Sequence, residues 1–162
     1  MLGIGEDRLS IYLNDHLAGS TAGVKLAQRV ELHHRSMGAG SALEGLASEI
    51  EEDRETLLEL MGRFGVRPDR AKAAVAWAAE KAARLKLQGE LIGFSSLSRL
   101  EELEALALGV EGKLALWQAL SRSFGADPRL GPIDLEALSE RARSQRARLE
   151  QERIRAAEAA FN

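Results

Sequence analysis

Long amphipathic stretches constrain the fold of this chain more than any other feature of its sequence. From Leu9 to Arg35, apolar residues return every three or four positions, which is the period of an α-helix that buries one face. The same period runs through residues 41–64, 98–124 and 133–161, and residues 70–88 form an alanine-rich stretch. The sequence therefore predicts a single all-α domain over residues 1–162, a bundle of four long helices and one additional alanine-rich helix.

Composition and charge exclude several classes of protein. Apolar residues make up 45% of the chain and aromatic residues 4%, so the core has to be built from Leu, Ala and Val. The formal net charge of −3 gives no strong attraction to nucleic acid, and the absence of cysteine excludes disulfides and thiolate metal sites. The first residues lack the pattern of a secretory leader, and no apolar run is long enough to cross a membrane. We expect a cytoplasmic protein without nucleic-acid or membrane partners.

Two short patterns predict where helices begin. Ser41-Ala42-Leu43-Glu44 and Ser98-Arg99-Leu100-Glu101 each have the spacing of a capping box, in which a serine and a glutamate satisfy backbone donors reciprocally. Gly65 is the expected end of the second helix, since glycine favours the left-handed conformation that often follows a helix. The predicted helices therefore begin at Ser41 and Ser98.

Small residues interrupt the first and fourth predicted helices. Residues 18–23 (AGSTAG) place small side chains on every face of the first helix, and the fourth helix contains Gly109 and Gly112. Glycine inside a helix is about 1 kcal/mol less favourable than alanine, so these positions require a reason. We expect close approach of a neighbouring helix in both places, and for the first helix the alternative is a ligand that lies against the backbone.

Five polar residues near the apolar stripes are candidate metal ligands. One interpretation is a carboxylate-rich site for iron or manganese. The other is that Lys113, Arg146 and Arg153 neutralise the carboxylates as ion pairs, and we favour it because buried charges are almost always paired. The five candidates are Asp15, His16, Asp53, Glu104 and Glu111.

The histidines and the arginine-rich last helix also have two interpretations each. His16 is either a ligand or general base, or a histidine at the edge of the core. His33 and His34 are expected at the end of the first helix, where a cation is favoured by the helix dipole. The last helix carries several arginines, but glutamates alternate with them, so a nucleic-acid stripe is not expected. It is predicted to lie at the edge of the bundle or to bury ion pairs.

Two stretches carry a resemblance to a known group of proteins. Residues 12–19 (YLNDHLAG) and 106–113 (LALGVEGK) resemble uncharacterised bacterial ferritin-like proteins, and the order of long helices does so as well. The resemblance implies a ferritin-like up-down bundle. In the metal-binding branch, each half of such a bundle supplies a glutamate and a Glu-x-x-His pair. Here Glu49, Glu52 and Glu55 have no histidine three residues later and no histidine follows His34, so the usual di-metal site is not expected.

These observations lead to three hypotheses of function. The first is a non-enzymatic homo-oligomerisation or protein-interaction module without a cofactor, with a homodimer as the expected assembly. The second is a metal-dependent oxidase or iron-handling protein, with iron or manganese at the five candidate residues. The third is a bundle that binds a small apolar or lipid-like ligand between its helices, with Leu91, Ile92 and Phe94 as a flap.

Overall fold

The computed structural model describes residues 4–38, 40–69 and 95–162, and these residues are helical apart from their connections. The helices are α1 (Ile4–Ser36), α2 (Leu46–Arg63), α3 (Ser96–Phe124) and α4 (Leu135–Phe161). A short 3₁₀ turn, Pro128–Leu130, lies between α3 and α4. The prediction of an all-α chain with long helices is confirmed for this part. The predicted alanine-rich helix over residues 70–88 and the predicted flap at residues 91, 92 and 94 lie outside the described residues.

Helix α2 begins later than predicted, and another helix caps it. Ser41 is not its N-cap, because residues 42–45 form turns and Gly45, with φ 76°, directly precedes the helix. The Gly45 and Ala47 N–H groups donate to the Glu31 carboxylate on α1, at 3.3 and 3.0 Å. The capping-box prediction was wrong here: the Glu44 N–H donates to the Ser41 carbonyl oxygen in a turn, and α2 starts at Leu46, where a carboxylate from α1 satisfies two backbone donors.

Helix α3 begins earlier than predicted. Its N-cap is Ser95, whose Oγ accepts a hydrogen bond from the Ser98 N–H at 3.1 Å, so Ser98 lies inside the first turn. The capping box at Ser98 was therefore wrong by three residues, because Ser95 can cap the same helix one turn earlier and the added turn forms further backbone bonds. Asp134 caps α4 by accepting from the Glu136 and Ala137 N–H groups, both at 3.0 Å.

Contacts between side chains fix the directions of the helices. Asn14 near the start of α1 hydrogen bonds with Arg67 and Asp69 beyond the end of α2, so α1 and α2 are antiparallel. Near the end of α1, Arg29 lies 2.6 Å from Glu102 close to the start of α3, so these two helices are antiparallel as well. Because α2 and α3 are each antiparallel to α1, they point the same way. Two ion pairs between α3 and α4 show that these helices are antiparallel.

The core is built from the stripes that the sequence predicts. Leu13, Val24 and Val30 of α1 are buried, as are Ile50 and Leu57 of α2. On α3 and α4 the buried apolar residues are Leu100, Leu103, Leu106, Ala107, Val110, Leu116, Trp117, Leu120, Leu135, Leu138, Ala142, Leu149 and Ala156. Among the described residues, no helix combines the length and the apolar character needed to cross a membrane.

The carboxylate of Glu31 yields a test of how α2 is held. Replacing Glu31 with alanine leaves two backbone donors at the start of α2 without their acceptor, so we expect the free energy of unfolding to fall by about 1 kcal/mol. Urea denaturation of the full chain measures this change. Glu51→Ala, at an exposed position of α2, is the control and should change stability by less than about 0.5 kcal/mol. Equal effects of the two substitutions would contradict the capping role.

Candidate functional site

A cavity of about 610 Å³ lies between α1, α2 and α3. Its walls are mostly apolar, and the small residues of α1 and α3 line it from two sides. The apolar side chains around it come from all three helices: Leu26, Ile50, Leu57, Leu106, Val110, Leu116 and Trp117. The small residues are Gly19, Ser20, Ala22, Gly23, Ala105, Gly109 and Gly112.

The glycines of the cavity do not mediate close contact between α1 and α3. A Cβ atom built at Gly19, Gly23, Gly109 or Gly112 meets no described atom within 4 Å. The two helices are antiparallel and meet at the Arg29–Glu102 contact. If residues are counted along each helix from this contact, Gly23 lies near the level of Gly109, and Gly19 near that of Gly112. The predicted close approach at these glycines is therefore wrong for the described helices, whose glycines face open space.

Tyr12, Asp15 and His16 line the cavity from the first half of α1. The Tyr12 and His16 rings meet edge to face, with centroids 4.6 Å apart. Burial lowers the pKa of His16, and the negative charge of Asp15 opposes this shift. The neutral imidazole is thus favoured, and His16 is half-buried, as expected for a histidine at the edge of the core.

The carboxylate of Asp53 lies at the centre of the bundle, with only 1% of the residue exposed. Lys113 Nζ of α3 donates to one carboxylate oxygen, and Arg141 of α4 donates to the other. Gln145 of α4 completes the cluster, since its Nε2 lies 3.2 Å from Asp53 Oδ2 and its Oε1 accepts from Lys113 at 2.5 Å. We call these four residues, Asp53, Lys113, Arg141 and Gln145, the central polar cluster.

Burial is the main influence on Lys113. It lowers the pKa of the Lys113 ammonium, because desolvation disfavours the charged form, and the neighbouring Asp53 carboxylate acts in the opposite direction. The sequence predicted that Lys113, Arg146 or Arg153 neutralises Asp53. The structure pairs it with Lys113 and also with Arg141, and the sequence missed Arg141 and Gln145. Gln145 could have been found, because it lies seven residues after Leu138 and seven before Glu152, on the buried stripe of α4.

The five candidate metal ligands are not brought to one place. Asp15, His16 and Asp53 line the cavity, whereas Glu104 and Glu111 form ion pairs with α4. Glu111 lies 2.7 Å from Arg146 and Glu104 lies 3.4 Å from Arg153, as predicted for ion pairs. Within residues 4–38, 40–69 and 95–162, no group of three or more potential ligands is arranged to hold a metal ion.

A second buried carboxylate was not foreseen. Glu152 of α4 lies 3.0 Å from the Arg99 guanidinium of α3, and its Oε2 is 3.5 Å from His34 Nδ1 of α1. His34 is buried, so the helix dipole is not the full account of its position. Glu152 lies on the buried stripe of α4, and this position could have predicted its burial from the sequence. Of the two alternatives predicted for the last helix, an edge position or buried ion pairs, the contacts of Glu152 and Asp53 show buried ion pairs.

Comparison of the chain with models of protein families, with characterised proteins and with solved structures finds no match. The resemblance of residues 12–19 and 106–113 to ferritin-like proteins therefore stays a prediction. Function has to be inferred from the geometry of the cavity and of the central polar cluster.

The central polar cluster gives a test by double substitution. Asp53→Leu leaves the buried Lys113 without its carboxylate, so we expect the free energy of unfolding to fall by about 3–5 kcal/mol. Adding Lys113→Met removes the unpaired charge and should recover at least about 1 kcal/mol. Urea denaturation of the wild type, both single variants and the double variant measures the coupling.

The exposed pair of Glu111 and Arg146 is the matched control for this cycle. Both side chains reach solvent, so the coupling measured with Glu111→Leu and Arg146→Met should stay below about 1 kcal/mol. A coupling between Asp53 and Lys113 no larger than that of the exposed pair would show that the central contact adds nothing beyond a surface ion pair.

Proposed function

We propose that this chain is a non-enzymatic helical bundle that binds a small apolar ligand in the cavity between α1, α2 and α3. The observation that carries the proposal is the cavity, whose volume of about 610 Å³ falls within the roughly 300–1,000 Å³ typical of ligand sites. Its mostly apolar walls match those of such sites, which bind through apolar contact and a few polar groups. Of the three hypotheses from the sequence, the geometry supports the apolar-ligand hypothesis best.

The polar residues of the cavity favour binding over chemistry. Lys113 and Asp53 contact each other, and Gln145 also holds Lys113. A metal-dependent oxidase or iron-handling role would require Asp53 to bind a metal, although Lys113 and Arg141 already neutralise its carboxylate. The hypothesis of an iron or manganese enzyme therefore has less support than a binding role.

We also propose a ferritin-like arrangement for the bundle. α1 and α2 form one antiparallel pair, α3 and α4 form the other, and α2 and α3 point the same way. A bundle with one long crossover connection between its halves has these directions, as ferritin-like folds do. This agreement supports the resemblance of residues 12–19 and 106–113.

A homo-oligomer or a protein-interaction module is the second candidate. Large apolar side chains lie exposed on the outside of the bundle, including Leu108 with 73% of its surface exposed and Phe161 with 74%. Such residues support association when they meet a partner. Light scattering coupled to size exclusion tests the homo-oligomer: a dimer that Leu108→Lys converts to a monomer supports it, and a monomeric wild type at all concentrations contradicts it.

A cavity-filling substitution tests the apolar site. Gly109→Phe projects a large side chain into the space that the glycine leaves open, so we expect the affinity for the neutral fluorophore Nile red to fall at least about tenfold. Gly62→Phe is the matched control, because Gly62 is a helical glycine with the same open surroundings but outside the cavity. Equal loss of Nile red binding in both variants, or no loss in either, would contradict the proposed site.

Gly109→Ala tests whether the glycine is needed for packing. Because its new Cβ meets no described atom, the substitution should follow helix propensity alone and raise the free energy of unfolding by roughly 0.5–1 kcal/mol. Thermal and urea unfolding measure the change. A loss of stability would show that another part of the chain contacts this glycine closely.

A further inference from the structure

A primary amine of the central polar cluster lies at the wall of the cavity. Lys113 and its partner Asp53 both line the cavity, and 15% of the Lys113 side chain is exposed. An ammonium group carries three donors. Two of them are used by Asp53 and by Gln145 Oε1, and the third has no acceptor among the described residues. The fold therefore leaves one direction of this nitrogen open.

The methylene chain of Lys113 runs beside open space. The side chain of a helical residue is directed towards the turn that precedes it, which for Lys113 contains Gly109. A Cβ atom built at Gly109 meets no described atom within 4 Å, and Gly109 lines the cavity as Lys113 does. A molecule in the cavity can therefore lie over this turn and against the lysine side chain.

The surroundings of Lys113 increase its share of neutral amine, which is the nucleophilic form. Burial lowers the pKa of the Lys113 ammonium, and the positive charge of Arg141 acts in the same direction, whereas Asp53 and Glu49 oppose both. Desolvation in an apolar pocket and a neighbouring cation are the ways in which proteins activate lysine as a nucleophile. The contact with Asp53 also provides an acceptor for the proton that the ammonium gives up.

The charges of the cluster restrict which electrophile can react with this amine. Acylation would turn Lys113 into a neutral amide, and carbon dioxide would give it a negative charge beside Asp53. Either product would remove one of the two cations that neutralise the buried Asp53 carboxylate. An aldehyde forms an iminium ion instead, which keeps the positive charge and one N–H for Asp53. The mostly apolar walls require the rest of the molecule to be apolar.

We propose that the cavity binds apolar aldehydes and that Lys113 holds them reversibly as a Schiff base. This inference rests on the proposed function, since it names the class of ligand for the same cavity and adds a covalent bond to it. The bond provides reversible capture of the ligand and involves no turnover.

The reaction requires no reagent other than the aldehyde. The Lys113 ammonium passes a proton to Asp53, and the nitrogen lone pair forms a bond to the carbonyl carbon. A proton then moves from this nitrogen to the former carbonyl oxygen, which gives a carbinolamine. Asp53 returns its proton to the hydroxyl group, which leaves as water while the nitrogen lone pair forms the C=N bond. One ammonium and one aldehyde thus become one iminium and one water, and Asp53 is a carboxylate again.

Reductive trapping on the full chain tests the inference. The probe is 4-(dimethylamino)cinnamaldehyde, whose protonated imine absorbs at longer wavelength than the free aldehyde. At neutral pH we expect this band to appear. After reduction with sodium cyanoborohydride, peptide mapping by mass spectrometry should show Lys113 labelled at least about tenfold faster than Lys25, a lysine of α1 that does not line the cavity. Labelling of Lys113 no faster than that of Lys25 would overturn the inference.

Two lysine substitutions test the role of the amine itself. Lys113→Arg keeps a positive charge beside Asp53 and removes the primary amine, so the long-wavelength band should be lost. Lys25→Arg is the matched control and should leave the band unchanged. A band of unchanged intensity in Lys113→Arg that still unfolds cooperatively in urea would overturn the role of Lys113. If Lys113→Arg does not fold, the residue labelled in the wild-type chain decides.

The binding of Nile red separates this inference from the proposed function. Gly109→Phe should abolish both Nile red binding and the labelling of Lys113, because the two ligands occupy the same space. If Gly109→Phe abolishes Nile red binding but the wild-type chain forms no Lys113 adduct, the ligand class is wrong and the apolar site stands. If Lys113 is labelled equally in Gly109→Phe, the aldehyde does not bind in the cavity and the inference is wrong. If Nile red binding is unaffected by Gly109→Phe, the site itself is wrong.

Discussion

The arrangement of α2, α3 and α4 depends on the contacts of the Asp53 carboxylate. It belongs to α2, one of its oxygens accepts from Lys113 of α3, and the other accepts from Arg141 of α4. Taking these charges out of water is unfavourable, and the loss is offset only when every member of the cluster has a partner. Gln145 supplies the remaining contacts, since it donates to Asp53 and accepts from Lys113. Any sliding of one helix against the other two would break several of these contacts together.

The position of α1 follows from contacts of another kind. This helix is held to α2 through Glu31 at one end and Asn14 at the other, and to α3 through Arg29 and His34 near its C-terminal end. N-terminal to its contacts with α3, α1 lines the cavity with glycines and other small residues, and α3 does so from the other side. These small side chains leave space that larger residues would fill. The cavity therefore follows from where the small residues lie on the two helices.

The sequence correctly predicted the features that depend on the residues of a single helix. The apolar period predicts the helices and their buried faces, because a helix with an apolar stripe has to bury it. The ion pairs of Glu104 and Glu111 were predictable as well, because basic residues recur at the matching depth on α4, whereas the pairing of Asp53 with Arg141 was missed. The starts of α2 and α3 were not, because each capping pattern competes with another acceptor: Glu31, distant in sequence, for α2, and Ser95 for α3.

The glycines show most clearly why the site could not be read from sequence. A glycine that admits a neighbouring helix and a glycine that opens a cavity have the same effect on helix propensity, so the residues alone do not distinguish them. In the structure, four glycines of the cavity are each about 0.5–1 kcal/mol less favourable than alanine in a helix, and none has a described atom near its missing Cβ. For a domain whose net stability is of the order of 5–15 kcal/mol, that loss is substantial, and no contact in the described part of the chain offsets it. The proposed ligand would supply this compensation, since a ligand that binds only the folded chain stabilises it.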